Sequence, residues 1–424
     1  MPLMTPGLYR GLTAAAAPAI LLALHLRRRR GKEDPARAGE RRGIAGRARP
    51  AGPLVWLHAA SVGEATSALA LIERLRAERP HIAVLITTGT TTSAELMARR
   101  LPEGAFHQYA PVDRGAWVDR FLDHWRPDLA LWIESELWPN LIHATRARGI
   151  PAALVNARLS ERSLAGWRRF PGLIGPTLAA FDIRLAQSPT DAERLKALGA
   201  PGVDYVGNLK FAARPLPVGA AARAALAGAI GQRPRWLAAN THDGEEAIAL
   251  DLQAAQSAAD LLTIIAPRHP HRGDAIETLV RSRGLTLARR SRGELPDAST
   301  RVYLADTLGE MGLFYATARH AFIAGSFAPV GGHNPLEAAH FDTAILLGPD
   351  RRNNAAAAEA LVEADAAIEV ATPEALSTAL ATLLAEPSRR DRLAANANAV
   401  IARHQGVLDA VLARLAPFLD RLDS

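Results

Sequence analysis

At 424 residues, with 49% hydrophobic and 22% charged side chains, the chain can bury two sizeable cores and is neither disordered nor collagen-like. It has no cysteine, which excludes disulfide scaffolds, thiolate metal sites and cysteine nucleophiles, and 5% aromatics leave few stacking platforms for single-stranded nucleic acid. The net charge of +7 is local: residues 27–50 hold ten Arg and Lys against three Asp and Glu, so the rest of the chain is neutral and a nucleic-acid partner loses its support.

The first predicted element is an uncharged stretch of sixteen residues, 11–26, followed directly by Arg27, Arg28, Arg29 and Arg30. A spanning helix needs about 20 apolar residues, so this one is short, and Pro18 and His25 weaken it further. A tilted or interfacial membrane anchor over residues 11–30 is expected, its arginines held on the cytoplasmic side and drawn to anionic headgroups. A cleaved signal peptide ending near Ala36-Arg-Ala38 fits less well, because arginines follow the apolar core at once. On this reading residues 1–50 form an appendage whose removal spares soluble catalysis and weakens membrane association.

From Leu54 onward short apolar runs alternate with Ala-rich helical sequence. Strands are predicted at 54–58, 83–87, 129–133, 152–155, 183–186 and 205–207, with a helix over 67–78 where Leu69, Ile72 and Leu75 recur at helical spacing. Strand-loop-helix repetition predicts a parallel α/β domain over 51–212. The Pro- and Gly-rich 211–219 reads as a hinge. A second series follows within 213–424, with strands at 236–239, 262–266, 301–304, 321–324, 345–347 and 368–370 and closing helices at 389–403 and 407–419. Two α/β domains joined by a hinge imply a cleft, a common ligand site.

Polar motifs recur where these strands end, which is where parallel sheets bind ligands. Leu57-His-Ala-Ala-Ser-Val-Gly-Glu64 opens a helix with a carboxylate that the helix dipole favours in its ionised form, as a general base requires; a plain helix-start glutamate is the bland alternative. Leu131-Trp-Ile-Glu-Ser-Glu-Leu-Trp-Pro-Asn140 carries Glu134 and Glu136, on one face if the strand continues, although Pro139 favours a loop. Asn156-Ala-Arg-Leu-Ser160 and Val206-Gly-Asn-Leu-Lys210 follow later strands, and Lys210 beside the hinge suits an anionic ligand. In Ala266-Pro-Arg-His-Pro-His-Arg272, Arg268 is placed to clamp a phosphate, whereas the spacing of His269 and His271 argues against a metal site. Gly325-Ser-Phe-Ala-Pro-Val-Gly-Gly-His-Asn-Pro-Leu-Glu337 predicts a helix start with Asn334 as N-cap, Pro335 as first residue and Glu337 as capping-box partner, with Gly331 and Gly332 clearing the approach for a nucleotide phosphate.

Taken in order from Leu54 to about Phe418, these motifs closely resemble those of bacterial 3-deoxy-D-manno-octulosonic acid (Kdo) transferases. The resemblance implies a GT-B fold, two Rossmann-like α/β domains facing a cleft with an N-terminal membrane-anchor helix, and transfer of Kdo from CMP-Kdo to the lipid A precursor in lipopolysaccharide synthesis at the cytoplasmic face of the inner membrane. It also implies roles for individual residues. Glu64 matches the general base, and Glu134 and Lys210 match positions assigned to transition-state stabilisation. Pro267 and Arg268, then Leu308, Gly309 and Glu310, then Asn334, Pro335, Leu336 and Glu337 match the three CMP-contacting segments. No Asp-x-Asp pair occurs, so a metal-bridged mechanism is unsupported; no cofactor is expected, and inversion by direct displacement is. The alternatives are another GT-B nucleotide-sugar transferase of the cell envelope, a UDP-sugar epimerase, or a non-catalytic sugar-nucleotide binder.

Overall fold

The computed structural model describes residues 4–134, 136–212, 215–256, 260–404 and 406–423. The chain divides into two compact units, 1–213 with 406–424, and 214–405. Two residues of the predicted hinge, Ala213 and Arg214, lie outside the described residues.

The first unit is built on seven parallel strands: β1 (Leu54–His58), β2 (Ala83–Thr88), β3 (Ala105–Tyr109), β4 (Leu129–Ile133), β5 (Ala152–Ala157), β6 (Ile183–Ala186) and β7 (Val203–Tyr205), in the spatial order β3-β2-β1-β4-β5-β6-β7. The second repeats the plan with β8 (Arg235–Thr241), β9 (Leu262–Pro267), β10 (Leu287–Arg289), β11 (Val302–Leu304), β12 (His320–Ile323), β13 (Ala344–Leu347) and β14 (Ala367–Glu369), ordered β10-β11-β9-β8-β12-β13-β14. Central strands such as β1 and β4 are buried along their whole length, because helices cover both faces. Each unit's first strand carries a buried tryptophan whose indole N–H is satisfied by a neighbouring threonine, Trp56 by Thr87 Oγ1 at 2.9 Å and Trp236 by Thr263 Oγ1 at 2.8 Å. Trp56 meets Trp132 edge-on at 4.8 Å, and Trp132 meets Phe181 at 5.4 Å, within one core cluster.

Among the shifted boundaries, two bear on the site. The strand expected at 205–207 lies at Val203–Tyr205, and the helix expected from 67 begins at Val62, which puts Glu64 in its first turn. β3 and β10 went unpredicted. Both are sheet edges whose sequences, Ala-Phe-His-Gln-Tyr and Leu-Ala-Arg, mix polar and apolar residues because only part of each is covered. The C-terminal helix Val407–Leu419 belongs to the first unit, where Val411, Leu415 and Leu419 join the core that contains Leu185 and Leu209.

The N-terminal segment is two helices, Pro6–Ala15 and Ala17–Arg29, bent by 63°. Among the described residues no single helix is long and apolar enough to cross a membrane, although this bent pair passes the same test jointly by length and composition. The first helix packs on the helices Gly115–Trp125, Pro139–Ala147 and Pro171–Ala179, with Arg10 paired to Asp119 at 2.6 Å and Asn140 Nδ2 donating to Thr13 Oγ1 at 2.9 Å. The second buries nothing and leaves Leu21, Leu22 and Leu26 exposed. Part of the basic block is structural. Arg37 donates to the His107 carbonyl, Arg41 to the Ala110 carbonyl and Arg49 to the Trp125 carbonyl, while Glu40 accepts from the Tyr109 N–H, so residues 37–49 are strapped along β3 and its following segments.

Candidate functional site

In the first sheet the chain runs outward from β1 to β2 and β3, then returns to lay β4 on the other side of β1. Loops leaving neighbouring strands in opposite directions open a crevice at the strands' carboxyl ends. Glu64 and Glu134 follow these two strands. Ser61 N-caps the helix that carries Glu64, and the Glu64 carboxylate folds back to accept the Ala60 N–H at 2.5 Å. Burial is the main influence on this carboxyl and the charge of Glu134 the next; against the Ala60 hydrogen bond they push its pKa up to about 7. The helix dipole therefore does not keep Glu64 firmly ionised, as the sequence reading expected. It titrates at neutral pH, where a general base works best.

Glu134 is buried, has a positive φ of 62°, and sits 3.3 Å from the Lys210 ammonium. Lys210 is placed by its neighbours: Asn208 Oδ1 accepts the Lys210 N–H at 3.0 Å, and Asn156 Oδ1 accepts the Leu209 N–H at 2.8 Å. Asn156 also has a positive φ, 58°, at a register irregularity of β5. Left-handed backbone at two non-glycine residues beside one crevice is the kind of strain that functional sites hold. Glu64, Glu134 and Lys210 are thus brought together, with Glu136 close enough for its charge also to raise Glu64. His58 of the first motif is different: it is buried against Thr87 and held neutral, its pKa lowered to about 3 by burial and Arg41.

In the second unit the corresponding switch lies between β8 and β12. All three CMP-segment candidates follow strands of this sheet at their carboxyl ends. Pro267 ends β9 and Arg268 bonds through its N–H to the Thr241 carbonyl at 3.0 Å; Leu308 is 67% exposed after β11. Glu310 accepts from Arg290 Nε at 3.0 Å and Nη2 at 2.6 Å and from Thr307, which hold it below the usual carboxylate range. Asn334 Oδ1 accepts the Leu336 N–H at 3.1 Å, and the helix beyond it, Leu336–Ala339, begins one residue later than expected and lasts one turn. Glu337 lies near buried Tyr315 and contributes to holding that phenol protonated.

The paired glycines have a different cause from the one expected. Gly331 and Gly332 have φ of 93° and 73°, and a Cβ would sit 2.6 Å from Asn353 Nδ2 and 2.6 Å from the Asp350 carbonyl respectively. Loop-to-loop packing requires them. The backbone donors here are also engaged: Glu245 accepts from Gly325, Ser326 and Phe327 at 2.8–3.1 Å, Asp350 takes the Gly331 N–H, and Gly332 and His333 bond to Gly325 and Ala324 carbonyls. Glu245 belongs to the β8 loop, Asn240-Thr-His-Asp-Gly-Glu-Glu246, which the sequence reading passed over. Its signal was the same as that around Glu64, an apolar strand running into polar residues and a helix-opening glutamate. Asn240 has a positive φ of 59° at a register shift in β8. Among the described residues no group of three His, Asp or Glu is placed to ligate a metal ion.

The family model of 3-deoxy-D-manno-octulosonic-acid transferase matches residues 36–213. Among curated proteins, the 3-deoxy-D-manno-octulosonic acid transferase of Rickettsia bellii is 34% identical over 97% of this chain and 99% of its own. That of Bordetella pertussis is 38% identical over 98% and 100%. A UDP-GlcNAc 2-epimerase from Neisseria meningitidis, solved with UDP-GlcNAc, superposes with a TM-score of 0.59 at 15% identity over 86% of this chain and all of its own, a likeness of GT-B fold alone. Identity at this level over nearly the whole of both chains means that the chain belongs to the 3-deoxy-D-manno-octulosonic acid transferase family of glycosyltransferases.

Proposed function

We propose that this glycosyltransferase moves Kdo from CMP-Kdo to a glucosamine hydroxyl of the lipid A precursor, with inversion, and that Glu64 is the base. The observation that carries the mechanism is a carboxyl raised to about 7 beside a buried Glu134–Lys210 pair. In its ionised form Glu64 takes the acceptor proton as the hydroxyl oxygen bonds to the donor's anomeric carbon. The bond from that carbon to the phosphate oxygen breaks, and CMP leaves with the electron pair. One displacement inverts the centre. Positive charge at Lys210 and Arg268 offsets the charge that develops. Pro267, Arg268, Leu308, Gly309, Glu310, Asn334, Pro335, Leu336 and Glu337 hold CMP, and no step calls for a metal or cofactor.

Membrane association at the inner leaflet rests on the two N-terminal helices, whose exposed Leu21, Leu22 and Leu26 adjoin the exposed Arg28, Arg29 and Arg30. The test incubates the purified protein with CMP-Kdo and tetraacylated lipid A precursor, with and without EDTA, and follows the lipid by mass spectrometry. A mass gain in whole Kdo units that survives EDTA is expected, with inverted anomeric configuration by NMR. CMP binding without any gain overturns the acceptor assignment, and retention of configuration overturns the single displacement.

A further inference from the structure

At the β8/β12 switch point two histidines from different loops meet. His242 follows β8 and His333 follows β12, with Nε2 atoms 2.9 Å apart, ring planes 5° from parallel and centroids 5.1 Å apart. That centroid distance nearly equals two ring radii plus a hydrogen bond, so the rings lie edge to edge, nearly coplanar. One Nε2 donates and the other accepts, and the pair holds at most one positive charge. His269 lies 5.7 Å from His242, and His271 lies 5.6 Å from His269.

Among the described residues no carboxylate pairs with these imidazoles. Glu245 is spent on loop amides, the backbone N–H of His242 among them at 2.9 Å, while Glu246 and Asp243 are both taken by Arg272. Arg268, exposed, makes no side-chain bond or ion pair with any described residue. Burial first, then the charges of Arg268 and the neighbouring imidazoles, lowers His333 to about 3. Imidazole and guanidinium donors gathered without an acidic partner favour an incoming anion. The glycine-rich loop cannot meet that anion with its backbone, because the amides of 325–327 and 331–333 are engaged.

We propose that His242 and His333, together with Arg268, form the oxyanion site of the donor: the Nε2–H that bonds one ring to the other turns to a ligand oxygen, and the accepting ring offers a second N–H by shifting its own proton from Nδ1 to Nε2. The inference rests on the CMP-Kdo reading, which supplies two candidate oxyanions, the phosphate and the sugar carboxylate. The test compares full-length wild type with His242→Gln and His333→Gln by calorimetric titration with CMP and with cytidine, and by steady-state kinetics with CMP-Kdo. A phosphate site predicts about ten- to hundredfold weaker CMP binding with cytidine affinity unchanged. A carboxylate site predicts unchanged CMP affinity and a KM for CMP-Kdo raised at least tenfold. Either result supports the site and names its ligand group. Wild-type values for CMP affinity and KM in a variant that melts with the wild type overturn it, and two positions are used so that misfolding of one leaves the other decisive. Wild type that binds CMP but transfers nothing to lipid refutes the transferase reading while leaving the histidine comparison intact.

Discussion

Replacing Glu64 by Gln separates the chemistry of the base from the cost of housing it. The carboxyl is moved from an ordinary 4.5 to about 7, chiefly by burial and then by Glu134. At 1.36 kcal/mol per unit the ionised side chain costs the fold about 3 kcal/mol, and partial solvent access trims this to about 2 kcal/mol. Because the folded pKa is the higher one, wild-type stability from this group is complete below pH 4.5 and drains away as pH rises through about 7. Gln keeps the shape and the acceptor for the Ala60 N–H but never ionises. Glu64→Gln should therefore melt with the wild type at pH 4.5, and at pH 8 its first unit should melt roughly 4–8 °C higher by scanning calorimetry. Activity should fall by about 10²–10⁴ with CMP affinity unchanged, and wild-type kcat/KM should rise with pH through an inflection near 7. A melting difference that is equal at both pH values, or larger at the acid one, would refute the idea of a desolvated base, whatever the acceptor proves to be.

Lys210→Met strands Glu134 in a buried position and should cost the first unit about 3–5 kcal/mol by denaturant melts; adding Glu134→Gln should restore much of that while leaving the enzyme inactive. Gly332→Ala should destabilise the second unit by at least about 1–3 kcal/mol, since its Cβ meets the Asp350 carbonyl at positive φ, and thermal melts without any nucleotide should already show the loss. Arg28, Arg29 and Arg30 changed together to Ala should weaken sedimentation with anionic vesicles by roughly 1 kcal/mol per charge and leave the melting temperature unaltered. Removing residues 1–50, by contrast, should lower the melting temperature of the first unit, because Arg37, Glu40, Arg41 and Arg49 bond to β3 and its neighbours.

What the sequence made legible follows from burial. Interior strands such as β1, β4 and β12 announce themselves because both faces are covered and every residue except a terminal histidine in β1 and in β12 is apolar, whereas β3 and β10 are edges where the constraint lapses. Glu64, Glu134 and Lys210 were readable as polar residues after buried strands, but their convergence was not, since it depends on the strand order that places β4 against β1. The glycine pair illustrates the opposite error. A ligand seemed necessary to explain Gly331 and Gly332, when the explanation lay in a loop about twenty residues further on, Asp350 and Asn353, that no local pattern connects to them. Charge arithmetic failed in a similar way, because it counts every arginine alike. Arg28, Arg29 and Arg30 stand exposed at the end of an unburied helix, while Arg37, Arg41 and Arg49 satisfy backbone carbonyls beside an edge strand that the sequence had not disclosed. Once β3 is known, the block resolves into a short basic collar and a structural strap. Under the proposed membrane association, the collar with the exposed Lys32 and Arg42 supplies the charges that meet anionic headgroups.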